Sequence, residues 1–132
     1  MKKFEFLPHT ADLRIKAYGR NEKEVLLNSL LAINSFLDPK LTKESVSIEI
    51  EVSGKKPYLW IDFLEEALSQ IYIEKAIFKE IEFLEFGDEK IKARLGGFKF
   101  KGLKKDIKAV TYHQAEIKEE KGLLTFTFVC DI

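Results

Sequence analysis

Cysteine is almost missing from this sequence: Cys130 stands alone among 132 residues, which excludes an internal disulfide and suits a reducing compartment. Histidine is nearly as scarce, and His9 and His113 without thiol companions make a poor set for zinc. Net charge is absent too, with 22 basic against 22 acidic side chains. The long-range field is therefore weak, unlike that of a protein whose main task is to hold nucleic acid. No apolar run approaches a membrane span, and Met1-Lys2-Lys3-Phe4 does not lead into the apolar stretch of a secretory signal. The chain reads as cytoplasmic, with no membrane partner. Also lacking are a P-loop, a glycine-rich dinucleotide turn, a Gly-x-Ser-x-Gly elbow and an HExxH helix, the usual signatures of small-molecule and hydrolytic catalysis.

What is present is a core. Apolar residues make up 45% of the chain, eleven of them phenylalanines, enough for one domain over residues 1–132. Phe4 to Leu7 reads as a short strand broken by Pro8, and Leu13, Ile15 and Ala17 alternate with Arg14, Lys16 and Tyr18 as a half-buried strand. Asn21 with Glu24 three residues on predicts a capped helix reaching about Leu37. Val46 to Val52 alternates cleanly, Gly54-Lys55-Lys56-Pro57 turns, and a second amphipathic helix runs from Pro57 to about Glu74, with Tyr58, Trp60 and Phe63 read as packing residues.

The remainder is β. Ile81 to Phe86 and Lys90 to Leu95 flank Gly87-Asp88-Glu89 as a hairpin, and Gly96-Gly97 reads as a turn. Phe98 to Lys101, Ile107 to Glu119 and Leu123 to Asp131 supply the last strands. The expected class is α+β, with two amphipathic helices packed on a largely antiparallel or mixed sheet, in the order β-β-α-β-α and then a β-meander.

Two aspartates sit where strands start and stop. Alternation puts Asp12 on the polar face with Arg14 and Lys16, and puts Asp131 on the face of Thr125 and Thr127, away from Phe126, Phe128 and Cys130. Because the sequence closes inside a strand, the carboxylate of Ile132 is expected to be held in place. If the two strands are neighbours, Asp12, Asp131 and the Ile132 carboxylate meet at the rim and repel one another unless a cation lies among them. Such an all-oxygen set suits Ca²⁺ or Mg²⁺ and argues against zinc. The plainer alternative is that Asp12 caps a turn and Asp131 is a solvated strand end. Lys108, between fairly apolar neighbours, reads either as an ordinary surface lysine on a strand, the commoner case, or as a partly desolvated or snorkelling one that could balance the carboxylates or contact a phosphate. Cys130 points into the phenylalanine face as inert packing.

Three segments together carry a family resemblance: Pro8-His9-Thr10-Ala11-Asp12 through Ala17-Tyr18-Gly19, the Lys108-Ala109-Val110-Thr111-Tyr112 strand, and the closing Asp131-Ile132. With Leu59-Trp60-Ile61-Asp62-Phe63-Leu64, the sequence resembles archease over nearly its whole length. Archeases are accessory proteins of RtcB-type RNA-splicing ligases, which join RNA ends with GTP and manganese. The resemblance implies an activator that promotes ligase guanylylation and turnover in tRNA splicing or RNA repair, is not itself an enzyme, and meets RNA only through the ligase. It implies a divalent cation, Ca²⁺ first with Mg²⁺ or Mn²⁺ as alternatives, on Asp12, Asp131 and Ile132, and a functional role for Lys108. One departure is the basic Gly96-Gly97-Phe98-Lys99-Phe100-Lys101 segment, where many archeases carry an acidic residue. Two other classes compete with this reading. One is a small metal-dependent phosphoesterase, which would turn over without a partner; the other is an RNA-binding or chaperone-like module, which would bind RNA directly.

Overall fold

Asn21 starts the first helix as its spacing predicts: its side chain accepts from the Glu24 N–H at 2.9 Å, while Glu24 reaches back to the Arg20 N–H at 3.1 Å. A computed structural model describes residues 2–132, with β1 (Phe4–Leu7), β2 (Leu13–Gly19), α1 (Glu22–Leu37), β3 (Pro39–Ser53), α2 (Tyr58–Glu74), β4 (Ala76–Phe86), β5 (Lys90–Leu103), β6 (Ala109–Glu120) and β7 (Leu123–Asp131). The class is α+β in the expected order. Both helices end on a residue in the left-handed conformation, Asp38 (φ 49°) and Lys75 (φ 53°), whose N–H bonds back into the last turn. Pro57, reached through a cis Lys56–Pro57 peptide, caps α2 from outside without a side-chain hydrogen bond.

The strands form two sheets where one was expected: β1-β2-β7-β6 and β3-β5-β4, antiparallel throughout. Alternation shows which face of a strand is buried but not which strand it pairs with, so the split is invisible in sequence. Each helix touches both sheets: α1 packs on β2 and β4, and α2 on β6, β3 and β4. Trp60 of α2 meets Phe126 of β7 edge to face at 5.2 Å, and Phe63 stacks on Phe83 of β4 at 6.1 Å. Asn34, buried on α1, donates to the Phe78 carbonyl at 2.8 Å and pins that helix to the second sheet.

Strand boundaries need correction: β4 begins at Ala76, ahead of the expected Ile81, because its pairing with β5 starts there. β3 begins at Pro39 and reaches the regular Val46–Val52 stretch through bulges at Leu41 and Ser45. Gly96-Gly97 is no turn: β5 runs straight through it, with Gly96 opposite Ser47 and Gly97 opposite Val46. A β-carbon on Gly97 would fall on the Ile77 carbonyl oxygen, 2.8 Å from Phe78 Cα, so the glycine is there to let β4 come close. The turn signal was a packing signal.

Candidate functional site

The first sheet brings the predicted residues to one end. Leu13 lies opposite Cys130, so the next residues outward, Asp12 and Asp131, face each other across β2 and β7. On the other side of β7, Ala109 lies opposite Asp131, and the Lys108 N–H donates to the Asp131 carbonyl at 2.7 Å. Asp12, Lys108, Asp131 and Ile132 thus share the tip where three strands end. His9 comes within 3.8 Å of Asp12 through Nδ1, beyond hydrogen-bond distance.

Lys108 precedes β6 instead of lying inside it, and its side chain is exposed, which is the surface-lysine reading and not the desolvated one. It makes no ion pair among the described residues. Its backbone is held by Asp131, leaving the ammonium free to move. Cys130 behaves as read: it is fully buried, and burial above all, with Glu65 and Asp131 adding to it, pushes its thiol up to about 12. It is inert at neutral pH.

Two carboxylates at this end escaped the sequence reading. Glu65 of α2 accepts the Val110 N–H at 3.1 Å, covering the outer edge of β6, and Asp62 one turn earlier accepts from the Tyr112 hydroxyl. Burial raises the pKa of Glu65; the Val110 N–H opposes the shift, and the nearby charges of Asp131, Asp62 and Glu66 add to it. The bond to Asp62 and the surrounding carboxylates likewise raise Tyr112 above an ordinary phenol. The available signal was the i, i+3 pair Asp62 and Glu65 set among Trp60, Ile61, Phe63 and Leu64 in the apolar first half of the helix. Tyr58 needs correction as well: it is 52% exposed and lies against Tyr112, not in the core.

The donor chemistry suits a hard cation, since Asp12 and Asp131 offer only oxygen. Among the described residues no three His, Cys, Asp or Glu side chains converge tightly enough to hold an ion alone. The expected set differs in taking its third donor from the main chain, and Ile132 is 45% exposed. A hollow of about 470 Å³ lies elsewhere, over Gly96 and Gly97 between Ser47, Lys79 and Phe98. It shares no residue with the tip.

A sequence profile of the Archease protein family (MTH1598/TM1083) matches residues 4–132. The chain belongs to the archease family. Among archease relatives, "Protein archease" of Sulfurisphaera tokodaii is 34% identical over 100% of both chains, and that of Methanosarcina mazei is 34% identical over 99% of this chain and 97% of its own. The solution structure of Methanobacterium thermoautotrophicum protein 1598 superposes with a TM-score of 0.74 at 28% identity, covering 100% of each chain. A Thermotoga maritima crystal structure, described as an archease and possible chaperone, gives a TM-score of 0.74 at 18% identity over 96% of this chain and 94% of its own, a likeness of fold alone. No helix among the described residues is long and apolar enough to cross a membrane.

Proposed function

We propose that this archease-family chain is a cytoplasmic activator of a GTP- and metal-dependent RNA ligase of the RtcB type, promoting ligase guanylylation and repeated turnover in tRNA splicing or RNA repair. The observation that carries the reading is the tip itself. Asp12, Asp131 and Ile132, with Lys108 beside them, come from three strand ends and gather at one surface although Asp12 and Lys108 are far apart in the sequence. A divalent cation held there, Ca²⁺ first with Mg²⁺ or Mn²⁺ as alternatives, would supply positive charge against phosphate oxygens. Asp12, Asp131 and the carboxylate of Ile132 would hold it, and Lys108 would add a mobile cation able to reach a phosphate. The tip offers no activated nucleophile, since the nearby thiol is buried and protonated. Its residues serve chemistry on a partner, which also accommodates the chaperone-like description of the Thermotoga relative.

The test is a labelled-GTP guanylylation time course of the cognate ligase with substoichiometric wild type, Asp131→Ala or Lys108→Ala. Wild type should accelerate adduct formation, and either variant should lose most of that effect while melting like wild type. No acceleration by wild type would overturn the reading, and phosphoesterase turnover without the ligase would replace it.

A further inference from the structure

Beside the tip, the surface carries two neighbouring aromatic rings that lie outside the core. Tyr58 opens α2 and is 52% exposed; Tyr112 lies on β6 and is 55% exposed; their rings meet edge to face at 5.1 Å. Tyr112 is presented by a break in the sheet. Between Thr111 and Glu116 the register of β6 against β7 slips, so that Tyr112, His113, Gln114 and Ala115 stand opposite Phe128 alone. Gln114 takes a left-handed conformation (φ 55°) to make the detour. The Tyr112 hydroxyl, bonded to Asp62, fixes the ring. The pair therefore forms a shelf of fixed geometry, and a hollow of about 430 Å³ lined by Pro57, Ala115 and Ile117 extends it.

The shelf is bordered by negative charge. Asp62 and Glu65 lie along one side, and Glu65 feels the charge of Asp131 at the tip; Glu116 at the other end is already paired with Lys118 at 3.1 Å. Lys56, which lines the same hollow, is already occupied by Glu22 at 2.8 Å and Asp88 at 3.0 Å. Carboxylates repel phosphate, which disfavours bases stacking here with their backbone attached. They attract guanidinium and ammonium groups, and tyrosine faces bind the same groups through their π electrons. Rigid, half-exposed tyrosines with a carboxylate rim are the composition of an interface anchor for a basic protein.

From this we infer that the Tyr58–Tyr112 shelf is a docking surface for an arginine- or lysine-bearing protein surface, the one that lines the phosphate-binding cleft of the ligase. The inference rests on the activator reading and deepens it. The tip delivers the chemistry, and the shelf fixes how the tip is aimed.

The test measures binding of the ligase to labelled wild type, Tyr58→Ala, Tyr112→Ala and Asp62→Asn over a series of KCl concentrations. Phe98→Ala, an exposed aromatic on the other sheet, is the control. Each tyrosine variant should weaken binding about tenfold or more while Phe98→Ala leaves it unchanged. Asp62→Asn should flatten the salt dependence. Should Tyr112→Ala lower the melting temperature, Tyr58→Ala decides alone. Ligase binding within twofold of wild type for the folded tyrosine variants overturns the shelf while the activator reading stands. Wild type that neither binds nor activates the ligase overturns both. Tight RNA binding by the free protein that disappears in both tyrosine variants would assign the shelf to RNA instead and overturn the docking proposal.

Discussion

The solvent face of β3, β5 and β4 and the tip where β2, β6 and β7 meet are both dense in charge, and only the first neutralises itself. On the sheet face, Arg94 of the central strand bridges Glu49 at 3.2 Å and Glu82 at 2.7 Å on the two flanking strands. Further along the same strand, Lys90 bridges Glu51 at 3.5 Å and Glu85 at 3.4 Å. Both of these cations have an anion on either side. At the tip, Asp12 and Asp131 lie just beyond the last paired residues Leu13 and Cys130, Glu65 is near Asp131 and Asp62, and Lys108 makes no ion pair among the described residues. Solvated opposite charges across a sheet are a cheap way to cover strands that must face water. Like charges gathered at one end work against folding, so their presence points to function.

The harshest way to break the comparison is to remove the scaffold of the self-neutralising face. Gly97→Ala drives a β-carbon into the Ile77 backbone, whose carbonyl carbon is 2.7 Å away, and neither strand can retreat without losing ladder hydrogen bonds on both sides of β5. The loss should exceed about 4 kcal/mol, at the extreme of single substitutions, and thermal melting should find little folded protein. Gly96→Ala next door meets nothing nearer than Glu80 Oε2 at 3.9 Å and should melt close to wild type. Equal melting of the two variants would refute the close-approach account of Gly97.

A milder change sharpens the tip side. Because the Glu65 pKa is raised in the folded protein above its ordinary 4.5, the folded state holds this proton more tightly than the unfolded chain does. Glu65 therefore favours folding below pH 4.5, and that contribution is lost as pH rises through the raised folded value, leaving a charged carboxylate that destabilises at neutral pH. Glu65→Gln keeps an oxygen for the Val110 N–H and removes the charge. At pH 7 the variant should melt at or above the wild-type temperature, and its advantage should shrink as pH falls towards 4. A variant less stable than wild type at pH 7 would mean that the carboxylate is compensated after all.

Legibility in the sequence followed the same division. Alternation and capping located both helices and nearly every strand, because burial of Ile15, Phe126 or Trp60 is imposed by local pattern on a chain that must hide them. Pairing was not legible: the two sheets arise from which strands meet, and Gly96-Gly97 looked like a turn until β4 was seen to press against it. At the site, Asp12 and Asp131 could be placed by counting faces, since one register decides both. Glu65 and Tyr58 could not, because their roles depend on where α2 lies against β6, a tertiary fact with no local signature. The supposed polar face of β7 shows the same limit. Thr125 and Thr127 are buried there, on the side where Arg14, Lys16 and Tyr18 lie half-buried, so alternation identified the face while the long side chains beside it decided its exposure.

The smallest effect belongs to the ladder. Arg94→Ala removes both of its ion pairs at once, yet the arginine and its partners are each about half exposed, Arg94 itself at 46%, and water screens what the distances suggest. The expected loss is about 0.2–1 kcal/mol per pair, read as a melting shift of a few degrees in low salt that fades at high salt. Guanylylation of the ligase should be unaffected, because the ladder lies on the other sheet from the tip. A ladder variant that crippled activation while staying folded would erase the contrast, since it would mean that the self-neutralised face also meets the partner.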